Sequence, residues 1–188
     1  MFQEFFLQGF HHILDFNGLD HLLFLTVLGV VYSVRQWKEL LWVLTAFTLA
    51  HSISLALALF EVFSLGTSIV EFLIPATILF TCIENLFFQK SLNRYKIVLA
   101  GIFGLIHGMG FSTLLKNLFM GMDYSPWLTL LPFNLGIELA QIVIITILLL
   151  VLNRLYKIKA ISKEIIIRLV SVLIGVQALV WMVQRYPF

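Results

Sequence analysis

Six stretches of about 20 mainly apolar residues follow one another along this chain, and each is long enough to cross the roughly 30 Å hydrocarbon layer of a membrane as a helix. Only 12% of the 188 residues are charged, whereas charged residues make up about a quarter of a typical soluble domain. The sequence therefore predicts an all-α, polytopic membrane protein with a single transmembrane domain over residues 1–188. The six predicted transmembrane helices are residues 18–34, 38–60, 66–88, 96–119, 127–153 and 164–184.

Residues 1–16 precede the first predicted span and are too short and too polar to cross a membrane. Phenylalanines are interspersed there with Gln, Glu and His side chains, which is typical of a helix that lies in the membrane interface or re-enters the membrane. Lys and Arg are absent from residues 1–10. We therefore do not expect this segment to be a signal peptide.

The basic residues are distributed unevenly between the two ends of the predicted spans. Ten of the twelve Lys and Arg residues lie in or next to the connections after the first, third and fifth spans, and only Lys116 and Arg185 lie on the opposite side. Cytoplasmic loops carry the excess of Lys and Arg in membrane proteins. The pattern therefore predicts that both termini, and the N-terminal interfacial helix, lie on the outer side.

Three of the five histidines, His21, His51 and His107, interrupt the predicted spans. An ionisable side chain inside a bilayer is costly, so each is a functional-site hypothesis by default. Counting 1.5 Å per residue from the span ends places His51, His107 and Glu138 near mid-membrane or in its outer half. We expect imidazoles and carboxylates from separate helices to meet in one polar site. The carboxylates in or at the ends of the spans are Asp20, Glu71, Glu84 and Glu138.

Local spacing predicts a polar helix face in the fifth span and a close helix contact in the fourth. Asn134, Glu138 and Gln141 are spaced i, i+4 and i+7, so one face of a helix carries all three side chains. Gly104 and Gly108 have the small-xxx-small spacing that lets two helices approach closely. We therefore expect the backbone of a neighbouring helix to lie near the histidine of the fourth span.

The chain contains four motifs in this order: GLDHLLF at 18–24, FTLAHSISL at 47–55, FGLIHGMGF at 103–111 and NLGIELAQ at 134–141. Together they resemble the HupE/UreJ family of bacterial membrane proteins, in its more divergent branch. The resemblance implies a small multi-pass protein of the bacterial inner (cytoplasmic) membrane, associated in parts of the family with nickel supply to hydrogenase and urease. It also implies that the histidine motifs form the metal path.

The chain departs from the family pattern at its first motif. Seven residues separate His12 from Asp20, where the family motif has five between its histidine and its Asp-His pair. The resemblance therefore leaves the role of His12 open. The fourth-span motif also lacks the doubled histidine of the hydrogenase-associated branch, which is why we place the chain in the divergent one.

The ligand types in this set, imidazoles and carboxylates, indicate a divalent metal of borderline hard–soft character. Imidazole suits Ni, Zn, Cu and Fe, with Co as a further candidate, and carboxylates add oxygen ligands and charge balance. A single cysteine, Cys82, excludes a thiolate cluster within the chain. The leading hypothesis is a metal permease, most simply for nickel. Its predicted ligands are Asp20, His21, His51, His107 and Glu138, the last as ligand or proton acceptor; His12, Glu71, Glu84, Asn134 and Gln141 are additional candidates.

Other interpretations stay open at this point. Three histidines and an aspartate can also hold zinc with a bound water, which would make the protein an intramembrane hydrolase acting on a lipid or lipid-linked substrate. A metal-sensing or assembly subunit is a third function. Structurally, the histidines can be neutral imidazoles hydrogen-bonded between helices, and Glu84 can simply pair with Arg94 or Lys96. The expected partners are membrane lipids and the metal ion as substrate, with no nucleic acid; a homo-oligomer is left open.

Overall fold

A computed structural model describes residues 2–15, 18–88, 93–119, 126–157 and 162–187, with side chains described in all of these except 93, 112–119 and 126–127. This part of the chain is helical, with no strand. Lys90 and Lys159, both predicted to be cytoplasmic, lie outside the described residues, as does the side chain of Lys116. The helices are α1 (Phe2–Leu14), α2 (Asp20–Gly29), α3 (Trp37–Leu59), α4 (Thr67–Phe87), α5 (Asn93–Phe119), α6 (Pro126–Leu155) and α7 (Lys163–Gln184).

Four helical segments in the described chain are long and apolar enough to cross a membrane. Outward-facing apolar side chains such as Trp42 and Val183 are 68% and 72% exposed, as expected where lipid covers the surface. Helices satisfy their own backbone hydrogen bonds, which a bilayer requires. The fold is therefore that of a membrane-embedded helical protein, whereas six spans and outer termini stay predictions. The four segments are Val34–Leu59, Thr67–Phe87, Leu128–Leu155 and Lys163–Gln184.

Helix α2 is shorter than the span predicted over residues 18–34. It contains ten residues, which measure about 15 Å at 1.5 Å per residue, or about half of the hydrocarbon layer. The helix ends at Gly29, whose backbone lies against α6. A Cβ atom at Gly29 would come within 2.8 Å of side-chain atoms of both Ile145 and Leu148. Close packing on α6 therefore accompanies the early end of α2.

Helices α3 and α5 pack against each other at backbone distance. A methyl group added at Gly104 would collide with the carbonyl of Phe47, and one at Gly108 would collide with the carbonyl of His51. The contact advances by four residues in the same direction on both helices, so α3 and α5 run parallel. The predicted close approach beside His107 is confirmed, and the parallel direction agrees with the predicted topology of the second and fourth spans.

Helix α1 packs against α6 through glycines on both helices. A methyl group at Gly9 would meet the carbonyl of Phe133, and one at Gly136 would meet the carbonyl of Phe6. Because this contact buries the face of α1 that contains Phe5, Gly9 and Ile13, the helix does not lie free of the bundle. The same contact fixes the position of His12, which also lies in α1.

Candidate metal centre

Three histidines from three different helices meet inside the bundle. One ring nitrogen each from His12 of α1, His21 of α2 and His51 of α3 lie within 4.8 Å of one another. His51 is fully buried and His21 is 8% exposed. The rings of His21 and His51 are 6.0 Å apart between centroids, and those of His12 and His21 are 4.7 Å apart. We call His12, His21, His51 and the neighbouring His107 the histidine cluster.

His107 of α5 joins the cluster through His21, with 5.3 Å between the ring centroids. Its Nε2 lies 2.9 Å from the hydroxyl oxygen of Thr77 in α4. That hydroxyl has one proton and donates it to the carbonyl of Ile74 at 2.7 Å, so the imidazole Nε2–H is the donor to Thr77. A neutral His107 then carries its lone pair on Nδ1, the nitrogen free to bind a metal.

Five ring nitrogens of the cluster are buried and lack hydrogen-bond partners among the residues that the structure describes. Buried polar atoms are almost always paired, and leaving one unpaired costs about 1–3 kcal/mol. A group of unpaired nitrogens in one place therefore requires an explanation, and a ligand that binds them provides one. The nitrogens concerned are His12 Nε2, His21 Nε2, His51 Nδ1 and Nε2, and His107 Nδ1.

Burial keeps the N-terminal member of the cluster uncharged. Desolvation lowers the pKa of His12 well below its usual value, and the nearby His21, His51 and His107 lower it further. A histidine must be neutral to bind a metal ion. His12 is therefore ready to act as a ligand at neutral pH and below.

Aromatic side chains pack around the imidazoles. The stacked rings of Phe24 and Phe47, 5.0 Å apart, each lie close to His107 at 5.2 and 5.3 Å. Phe111 and Phe133 form a second stacked pair at 5.2 Å, and the Phe111 ring is 4.0 Å from that of His12. These rings shield parts of the cluster from water and hold the imidazoles in place.

A cavity of about 420 Å³ reaches the cluster. Its walls include three of the cluster histidines and several charged side chains, and its volume leaves room for a hydrated cation. An ion can therefore approach the imidazoles through a polar entrance. The charged residues in the lining are Asp15, Asp20, Glu71 and Arg185, and the histidines are His12, His21 and His107.

The predicted carboxylates are placed in different surroundings. Asp20 lines the cavity, and Arg185 Nη1 donates to its Oδ1 and Oδ2 at 3.3 and 3.2 Å. Glu71 lines the same cavity but is exposed. Glu84 lies near Lys96, with 3.9 Å between Oε1 and Nζ, as the structural interpretation of Glu84 expected.

The polar face of α6 is directed largely toward α3. Thr45 donates to Oε1 of Glu138 at 2.8 Å, and Thr48 donates to Oε1 of Gln141 at 2.9 Å. The Oδ1 atom of Asn134 is buried without a partner in the described chain. The structure therefore shows a local partner for Glu138, and the group of converging ligand atoms consists of imidazole nitrogens.

Sequence reasoning left the role of His12 open and gave no role to Arg185. A signal for His12 was present, because Phe5, Gly9 and His12 follow helical i, i+4 and i+7 spacing and share one face of α1. Gly9 on that face permits the close approach to α6. No local pattern indicates the contact of Arg185 with Asp20, which are 165 residues apart in the sequence.

Comparison with known proteins agrees with the motifs. A family model described as HupE / UreJ protein matches residues 1–185. No curated protein and no solved structure matches the chain. Because the family match covers almost the whole sequence, the resemblance carried by the four motifs is confirmed, and this chain belongs to the HupE/UreJ family.

Proposed function

We propose that this protein is a divalent transition-metal permease of the bacterial inner membrane, with nickel as the leading cargo and zinc, copper, iron and cobalt as competitors to be tested. The observation that carries the proposal is the convergence of His12, His21 and His51, joined by His107. Imidazole nitrogen is a favourable ligand for all of these metals. Family membership supports the same class of function.

The spacing of the cluster supports a site that binds a metal after small side-chain movements. Two nitrogens bound to a tetrahedral metal at about 2.0–2.1 Å are about 3.4 Å apart, whereas one ring nitrogen each from His12, His21 and His51 lie within 4.8 Å of one another. Rotation of the rings by a small amount closes this difference. A site that is not fully closed beforehand fits a carrier, which must release its cargo as well as bind it.

The predicted carboxylates have separate roles in this proposal. Asp20 lies at the cavity beside His21 and supplies negative charge to an entering cation. We keep the predicted role of Glu138 as ligand or proton acceptor. To act in this role, Glu138 must first lose the hydrogen bond that Thr45 donates to it.

The cavity lining favours transport over lipid hydrolysis. An enzyme acting on a lipid-linked substrate needs an apolar opening toward the bilayer. The cavity that reaches the cluster contains the apolar side chains of Ile74 and Phe111, but four charged residues, Asp15, Asp20, Glu71 and Arg185, also line it. These charged side chains favour a hydrated ion over a lipid chain as its occupant. A lipid hydrolase therefore remains the alternative to test, with permease activity as the proposal.

Uptake into proteoliposomes tests this function directly. We expect the wild-type protein to carry radioactive nickel into vesicles, and His51→Ala and His107→Ala to abolish uptake because each removes a buried imidazole of the cluster. His11→Ala is the matched control, since His11 is exposed on the same helix as His12. Excess unlabelled zinc, cobalt, copper or iron then ranks the competing metals.

One result would overturn the proposal. If His51→Ala and His107→Ala, reconstituted in the same amount and equally folded, accumulated nickel as fast as the wild type, the histidine cluster would not be the transport site. Hydrolysis of a lipid-linked substrate by a zinc-loaded wild type without metal uptake would support the alternative function.

A further inference from the structure

Arg185, far along the chain from the first histidines, contacts Asp20 next to the histidine cluster. It follows directly after α7, and its Nη1 donates to both carboxylate oxygens of Asp20, the first residue of α2, at 3.3 and 3.2 Å. The two side chains are 28% and 14% exposed. This ion pair therefore lies partly shielded from water.

Both members of the ion pair line the cavity that reaches the cluster. Asp20 is adjacent in sequence to His21, and the cavity wall contains Asp20, His21 and Arg185 together with His12 and His107. The guanidinium group thus supplies positive charge beside the imidazoles. A divalent cation in this cavity and the guanidinium group would compete for the same carboxylate.

The guanidinium group of Arg185 contacts an aromatic ring at the same time as it pairs with Asp20. The guanidinium carbon lies 5.2 Å from the ring centre of Trp181 in α7, within the range of a cation–π interaction. The following residue, Tyr186, contacts Phe72 of α4 at 5.9 Å between ring centroids, and the neighbouring Glu71 lines the same cavity. The arginine therefore still has an aromatic partner, Trp181, when its pairing with Asp20 is broken.

We propose that Arg185 is the resting counter-ion of Asp20 and that an entering divalent cation displaces it. This inference rests on the proposed metal-permease function and deepens it. Arginine cannot lose its proton in a protein, so it neutralises Asp20 whenever the site is without metal. Displacing the guanidinium costs the free energy of the ion pair, and this cost lowers the affinity of the site for the metal. The lower affinity allows the site to release its cargo.

Metal affinity measured by titration calorimetry on the full-length protein in detergent tests the competition. We expect Arg185→Gln to bind nickel roughly three- to tenfold more tightly than the wild type, since a partly exposed ion pair of modest strength no longer has to be broken. Arg185→Lys retains the positive charge and should stay close to the wild type. Arg168→Gln is the matched control, because it removes the same charge from an exposed position of α7.

A double-mutant cycle separates competition from a general effect of charge. In the Asp20→Asn background the carboxylate charge is absent, so Arg185→Gln should change the nickel Kd by less than about twofold. A purely structural role of Arg185 would produce the same change in both backgrounds.

Displacement can also be observed through Trp181. In a protein whose other tryptophans, Trp37, Trp42 and Trp127, are replaced by Phe, adding zinc should shift the Trp181 emission because the guanidinium leaves Asp20. Zinc is used since its filled d shell does not quench fluorescence. Arg185→Gln should lose this shift.

The outcomes distinguish this inference from the proposed function. If Arg185→Gln binds nickel with the wild-type Kd or more weakly, while His51→Ala abolishes binding, the competition is refuted and the permease proposal stands. If the wild-type protein neither binds nor transports any of the tested metals, the permease proposal fails and the role of Arg185 falls with it.

Discussion

The two ends of helix α2 differ in whether the polar groups around them have hydrogen-bond partners. At the C-terminal end, backbone carbonyls are occupied by side chains from other helices and connections. Asn85 Nδ2 donates to the carbonyl of Val27 at 2.7 Å, and Lys163 Nζ donates to that of Val31, also at 2.7 Å. The Tyr156 hydroxyl donates to the Val30 carbonyl at 3.2 Å.

At the N-terminal end of α2, Asp20 is paired with Arg185, but the neighbouring imidazole nitrogens are gathered without hydrogen-bond partners. His21 Nε2 has no partner in the described chain, nor has either nitrogen of the adjacent His51. A cavity with charged walls reaches this end. The hydrogen bonds at the C-terminal end of α2 hold the helix in place, and the N-terminal end is where we propose that a metal binds.

The difference shows how to separate structural from functional polar residues in an apolar interior. Both ends bury groups that cost free energy when removed from water. At the C-terminal end, cross-helix hydrogen bonds to the backbone carbonyls recover that cost within the chain, whereas the histidine nitrogens at the N-terminal end have no such partners in the described chain. Removing a polar side chain should therefore destabilise the protein at one end of α2 and impair metal binding without loss of stability at the other.

Of these substitutions, replacing His51 by Leu should have the largest effect. It should weaken metal binding without lowering the stability of the protein. Leucine has a similar volume, so the core stays filled, and two unsatisfied nitrogens disappear from a fully buried position. We expect the thermal stability to be unchanged or higher. The nickel affinity should fall more than about 100-fold, because even the loss of an indirect partner of a ligand costs about 10–100-fold.

Calorimetry and thermal unfolding in detergent measure these two effects on the same sample. His11→Leu, at an exposed position, is the control and should match the wild type in both. A His51→Leu protein that unfolds at a clearly lower temperature would mean that His51 makes structural hydrogen bonds, and the contrast between the two ends of α2 would be lost.

Replacing Asn85 by Leu should have the reverse effect. The substitution leaves the Val27 carbonyl buried without its donor, which should lower the free energy of unfolding by about 1–3 kcal/mol. The nickel Kd of the folded protein should change by less than about twofold, since Asn85 lies at the other end of α2. Asn153→Leu, on the exposed face of α6, is the control. A large loss of affinity without destabilisation would contradict the division of roles.

The long helices could be predicted from the sequence because apolar length is a local property. The limits of α3, α4, α6 and α7 lie within two residues of the predicted spans, and α5 begins three residues earlier. Helix α2 is the exception. Its predicted span, residues 18–34, continued beyond the ten-residue helix through a turn to the first residue of the short helix Val34–Gln36, since apolar composition alone does not reveal where a helix ends.

The site was only partly predictable because it depends on contacts between distant segments. The unusual cost of His21, His51 and His107 inside a membrane could be recognised from the sequence, and the structure brings these residues together. The partners of the carboxylates could not be recognised. Glu138 and Thr45 are 93 residues apart, and hydropathy contains no information about which helices become neighbours.

The smallest expected effect concerns His12. It should appear in the pH dependence of the stability of the metal-free protein. The pKa of His12 is lowered by burial and by the neighbouring histidines in the folded protein, whereas it returns to about 6.5 on unfolding. The unfolded state therefore binds a proton first as the pH falls, and the folded state loses stability below about pH 6.5 until His12 itself becomes protonated. The loss is at most about 1.4 kcal/mol per pH unit for one group.

Thermal unfolding of the metal-free wild type and of His12→Phe between pH 7.5 and about 5 measures this contribution. Relative to the variant, the wild type should lose stability as the pH falls from about 6.5, because only the wild type carries this imidazole. Parallel curves for the two proteins would show that His12 titrates normally and is hydrated in the folded state. His12 would then belong to the protein surface, and the cluster at the N-terminal end of α2 would consist of His21, His51 and His107 alone.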